Sequence, residues 1–178
     1  MANLAWAKKN ICIVGIAGAG KTTLAERLSN HFNLEHVHSK MFWDFAETQD
    51  DEKKNFILDE LSANRQLPLD IGADAFKMKI DNTLGKNGFI VDNVFGLEGY
   101  ELFESFIKFN HHIWLDVDEK IAFGRAKPGT ILEERRRIFQ NKTLPLIELL
   151  KDKIIRIDAN QYEDKVFEIA INKISNQM

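Results

Sequence analysis

Residues 15–22, GIAGAGKT, fill every position of the pattern G-x-x-x-x-G-K-[ST]. The small residues Gly15, Ala17, Gly18, Ala19 and Gly20 let successive backbone N–H groups turn inward around an anion, where longer side chains would block close approach. A helix opening directly behind them adds the positive end of its dipole. Lys21 is placed to neutralise the outer phosphates of a nucleoside triphosphate, and the Thr22 hydroxyl to bind Mg2+. With Thr23 beside them, these residues make up the candidate ATP site. A second candidate metal ligand is Asp92, an acid at the carboxyl end of the apolar run GFIVD (88–92). Such a carboxylate either holds the metal, directly or through its water, or caps the turn after its strand. This chemistry is binding of Mg·ATP, and it is silent about the reaction.

The elements that must position these groups follow from hydrophobic period. ICIV (11–14) reads as a buried strand, and Leu24, Leu28 and Phe32 then recur at helical spacing. GFIVD, HIWLDV (112–117) and KIIRID (153–158) read as further buried strands, with LEHVHS (34–39) a weaker one. Helical patterns run between them. Residues 99–109 carry Leu102, Phe103, Phe106 and Ile107 on one face; residues 130–152 form a long stretch interrupted near Pro145; residues 162–174 align Val166, Ile169, Ala170 and Ile174. Alternating strands and helices predict an α/β fold, a doubly wound five-stranded parallel sheet covered on both faces. Ligands of such sheets sit outside the carboxyl ends of the strands, where the glycine-rich loop, Asp92 and Asp116 are expected to converge. Residues 40–82 hold no core strand and are helical in pattern, so they read as an insertion over the strand ends, serving a second substrate within one domain spanning 1–178.

Composition narrows the function classes. The chain has 178 residues, 44% hydrophobic, with a formal charge of −3. A near-neutral balance argues against non-specific nucleic-acid binding, which needs a basic field. Cys12 is the only cysteine, lies in an apolar run, and reads as a core residue. No run reaches the length of a membrane span, and the first ten residues lack the apolar centre of a signal peptide. The expectation is a soluble cytoplasmic protein without nucleic-acid or membrane partners.

GIAGAGKTTLAERL (15–28) together with GFIVDNVF (88–95) resembles the adenylate kinase-like nucleoside monophosphate kinases, and the likeness runs nearly end to end. QLPLD (66–70) is similar to a turn in that family's acceptor-binding insertion. IWLDVDEKIAFGRA (113–126) resembles the fourth strand and the helix whose arginine lies by the adenine, here Arg125. ILEERRRIFQNKTLPLIELL (131–150) resembles the helix with a catalytic arginine, in a register that falls on Arg135. RIDAN (156–160) resembles the last strand and the loop that cups the base with backbone groups. The resemblance implies a P-loop kinase that moves the γ-phosphoryl group of Mg·ATP to a small acceptor, a nucleotide or nucleoside first. There are departures. Where the family holds the acceptor's phosphate with two arginines, Asp44 and Gly96 stand, and neither offers a guanidinium. The lid is shortened to about 126–131 and lacks its arginines. Such a chain either uses another acceptor or has become a nucleotide-binding regulatory protein; an NTPase with water as acceptor is a third option.

Asp44 in MFWDF has two readings. It is a base for a substrate hydroxyl inside a pocket walled by Phe42, Trp43 and Phe45, or a surface acid flanked by core aromatics. Arg65, Lys77 and Lys79 either hold an anionic acceptor or face water. Arg136 and Arg137 fan away from Arg135 and read as solvated or paired, with Glu133 or Glu134 among the partners. Lys127 either replaces a lost lid cation or is simply exposed. His36 and His38 share one strand face and read as structural rather than as a metal pair. His111 and His112 are assigned no chemistry, and Trp6 is read as a packing or tail residue.

Overall fold

The computed structural model describes residues 8–63, 65, 67–83, 85–92, 94, 96–125 and 132–176. Trp6, Lys127 and the shortened lid lie outside them. Five strands form one parallel sheet: β1 (Lys9–Val14), β2 (Glu35–Val37), β3 (Gly88–Val91), β4 (His111–Asp116) and β5 (Ile154–Asp158), in the order β2-β3-β1-β4-β5. The α/β, doubly wound expectation holds. Alternation along β1 shows how both faces are covered. Ile11 and Ile13 pack with Leu24, Leu28, Ala170 and Ile174, from helices α1 (Lys21–Phe32) and α9 (Glu163–Ser175). Cys12 and Val14 point the other way, toward Phe103, Leu146 and Leu150. Burial pushes the Cys12 thiol far up, which leaves it a small core residue.

Residues between β2 and β3 form α2 (Lys40–Ala46), α3 (Asp51–Ser62) and α4 (Leu69–Asp81). They close a small core of their own, with Phe45, Ile57, Ile71 and Ala75 at its centre. Between β3 and β4 runs α5 (Gly96–Phe106), which starts three residues before the predicted 99. Its buried face is Gly96, Gly99, Tyr100 and Phe103, continued by Ile107, while Phe106 is 39% exposed and meets the Phe76 ring edge-on. The two glycines are the small part of the face that packs.

The last connection is where sequence and structure differ most. After α6 (Glu119–Gly124) come α7 (Leu132–Ile138), a π turn (Phe139–Thr143) and α8 (Leu144–Leu149). The predicted interruption is therefore the π turn. Pro145 sits in the first turn of α8, where its missing N–H costs nothing.

Candidate active site

The Cys12–Val91 pairing of β1 with β3 sets the site, because it carries Asp92 to the strand ends directly beside the glycine-rich loop. The loop is tightly determined. Gly18 has φ +86, and a Cβ there would lie 2.1 Å from the Ala122 carbonyl oxygen, so α6 rests on the loop at a point that only glycine permits. Lys21 Nζ donates to the Gly15 and Ile16 carbonyls at 2.9 and 3.0 Å. Burial pulls the Lys21 ammonium down to about 8; the Asp92 carboxylate opposes that pull and the nearby Arg135 guanidinium adds to it.

Thr22 Oγ1 donates to Asp92 Oδ2 at 2.6 Å. Asp92 is 3% exposed, and its Oδ1 has no hydrogen-bond partner. Burial alone would raise its carboxyl, but the His36 ring, the Thr22 hydroxyl and the Lys21 charge outweigh that and hold it below the ordinary range. His36 Nε2 stands 3.4 Å from Asp92 Oδ2. That is too long for a well-formed hydrogen bond, and Nε2 is itself without a hydrogen-bond partner. A hydroxyl beside a buried carboxylate, one carboxylate oxygen orphaned, fits a hard cation that takes oxygen ligands. Mg2+ bound there would be held by Thr22 and Asp92.

A cleft of about 980 Å3 opens over the loop, lined by Ala17 to Leu24, Arg125, Arg135, Ala159 and Tyr162 among others. It has the size of a nucleotide site. Arg125 Nη1 donates to the Ala159 carbonyl at 3.3 Å, and the Ala159 N–H donates to the Asp116 carbonyl at 2.7 Å, so both backbone groups of this loop residue are engaged. A second hollow of about 90 Å3 adjoins the cleft, bordered by Lys21, Asp92, Gly96, Arg135 and Lys142. Arg135 borders both spaces.

A family model described as AAA domain matches residues 11–143, well over half of the chain. The chain belongs to that family. It is similar to the adenylate kinase of Corynebacterium urealyticum, 22% identical with 90% of this chain and 96% of the relative covered. It also resembles the adenylate kinases of Rhodococcus erythropolis, 27% identical (84% and 90% covered), and Oenococcus oeni, 26% identical (94% and 98% covered). The family resemblance read from the residues is thus supported over most of the chain.

Within this adenylate kinase-like P-loop domain the predicted residues divide into groups. The loop from Gly15 to Thr23, Asp92, Arg125 and Arg135 gather around the cleft and its adjoining hollow. Asp44 is half-exposed, pairs with Lys40 at 3.0 Å, and borders a different hollow of about 270 Å3 together with His36, His38 and Lys79. Asp116 ends β4, the strand beside β1, where Arg156 of the neighbouring strand pairs with it. Arg136 pairs with Glu119 at 2.6 Å, a partner from another helix rather than Glu133 or Glu134. Arg65 pairs with Glu60 and Lys79 with Glu35. Three residues at the site were not assigned chemistry from sequence: His36 beside Asp92, Lys142 over Gly96, and Tyr162, 90% exposed at the cleft's rim. No described helix is long and apolar enough to cross a membrane.

Proposed function

We propose that the chain transfers the γ-phosphoryl group of Mg·ATP to a small acceptor, a nucleotide or nucleoside. The observation that carries this reading is the convergence of Lys21, Asp92 and Arg135 on one hollow at the mouth of the phosphate loop. Phosphoryl transfer asks a protein for positioning and for charge, since the transition state spreads negative charge over the moving oxygens. The loop's backbone orients the donor phosphates, and Lys21 and Arg135 face the transferred group from two sides. Bound Mg2+ supplies further neutralisation of phosphate charge. Thr22 and Asp92 hold that charge in register with the loop, and Arg125 and Tyr162 flank the base end of the cleft. Asp44 serves as a base only for a hydroxyl acceptor entering from the insertion side.

The reading is tested by ADP formation from Mg·ATP against nucleoside monophosphates, nucleosides and small hydroxylated metabolites, with Lys21→Ala as control. One of these acceptors should accelerate ADP formation at least tenfold over water, and Lys21→Ala should abolish the effect. ATP binding with no acceleration by any of them would replace the kinase reading with a nucleotide-sensing one.

A further inference from the structure

We propose that Lys142 is the cation that receives a phosphate group on the acceptor, and that it sets the acceptor's class as a phosphorylated metabolite. This rests on the kinase reading and names the residue that gives it specificity. The argument starts from charge. Lys21, Arg135 and Lys142 border a hollow of about 90 Å3 that contains one carboxylate, Asp92, already bonded to Thr22. Arg135 has no carboxylate partner among the described residues, and the Lys142 ammonium lies 3.9 Å from the exposed Glu98, a loose and solvated pair. Positive charge therefore exceeds negative in a space that fits one tetrahedral anion and is far too small for a nucleoside.

The hollow also has sides. Lys21 and Arg135 border both the large cleft and the hollow, so they stand at the group in transit. Gly96 and Lys142 border the hollow away from the cleft, which is the acceptor's side.

Two features of the backbone bring the lysine there. A π turn carries one more residue than an α turn, so Lys142, near its end, is swung round relative to an uninterrupted helix. Gly96, at φ +69, then leaves room for it. A Cβ on Gly96 would lie 3.2 Å from Lys142 Cδ and 3.3 Å from Lys142 Cβ, so a side chain at 96 would push the lysine stem off the hollow. Gly96 also opens α5, whose positive dipole end faces the same space. Asp44, the carboxylate that would repel a phosphate, borders the separate hollow of His36 and His38.

The test is calorimetric titration of the full chain, Lys142→Ala and Lys142→Arg with the common nucleoside monophosphates, their parent nucleosides and Mg·ATP. Lys142 is half-exposed, so neither variant disturbs the core. Expected is a loss of about tenfold or more in Lys142→Ala for the monophosphate that the wild type binds, substantially restored by arginine. Nucleoside and Mg·ATP affinities should stay within about twofold. In turnover the same variant should raise the acceptor's KM more than it lowers kcat. Unchanged monophosphate affinity, or an equal loss for the nucleoside, overturns the assignment. A wild type that binds no monophosphate yet phosphorylates a hydroxyl compound overturns it too and leaves the kinase reading standing. A wild type that does not bind Mg·ATP removes both.

Discussion

Asp92 carries a buried charge that its neighbours hold in place. One oxygen is bonded to Thr22 and the other has no partner, yet the cost of burial is outweighed by the His36 ring, the Thr22 hydroxyl and the Lys21 charge together. That balance has an expected consequence. Asp92→Asn removes a charge that the fold stabilises, so its thermal midpoint near neutral pH should fall, and Mg2+-dependent ADP formation should fall by about 10²-fold or more. Thermal melts and a Mg2+ titration of turnover on the two proteins decide it; a destabilised variant with intact turnover would make Asp92 a fold anchor instead. Asp92 and the loop were legible in sequence because their chemistry is local, a fixed spacing after a strand. His36 was not. Period-two alternation tells which face a strand residue takes, but not that β2 pairs with β3 and sets the ring beside Asp92. Lys142 was hidden for a related reason: its meeting with Gly96 depends on helix phase, and a single π turn resets that phase.

The strands and most helices were readable, because buried runs and 3.6-residue periodicity are set by burial alone. The observed β3, β4 and β5 lie within about a residue of the predicted runs. The π turn had no such signal; apolar spacing on either side of it is helical. Its effect on the site can be isolated. Residues 139–143 link α7, which carries Arg135 and has no buried residue, to α8, which is anchored by Leu146 and Ile147. Deleting the exposed Asn141 should restore an α turn and rotate α7 about α8, carrying Arg135 and Lys142 off the hollow. Misplacement of about 1 Å already costs on the order of 10²-fold in rate, so turnover should fall by at least that much. Circular dichroism should stay close to wild type. Full turnover in the deletion variant would show that the π turn is incidental to the site.

At the scale of the whole molecule, stability on acidification should depend on a residue remote from the site. His112 on β4 is 3% exposed, and its Nε2 lies 2.9 Å from the Tyr100 hydroxyl of α5. Burial depresses its pKa to about 4; Lys153 and His111 push the same way and Glu104 opposes them. Tyr100 also reaches Glu104, at 3.3 Å, so the imidazole, the phenol and the carboxylate form one short chain beneath α5. In the unfolded chain His112 returns to a pKa of about 6.5. Between those values the unfolded state binds a proton that the folded state refuses, so stability rises with pH across the window and is lost as pH falls from about 6.5 toward 4. Tyr100 donates its one O–H to Glu104, so the neutral ring donates its Nε2–H to the phenol oxygen, and a second proton on the ring places a cation near Lys153 in the core. His112→Gln retains an N–H donor for the Tyr100 oxygen and does not titrate. Urea unfolding between pH 6.5 and 5, above the range where most carboxylates titrate, should show the wild type losing stability with a slope approaching one proton taken up on unfolding. The glutamine variant should be distinctly flatter. Equal slopes in the two proteins would mean that His112 is protonated in the fold, and acid sensitivity would then belong to the carboxylates, Asp92 among them.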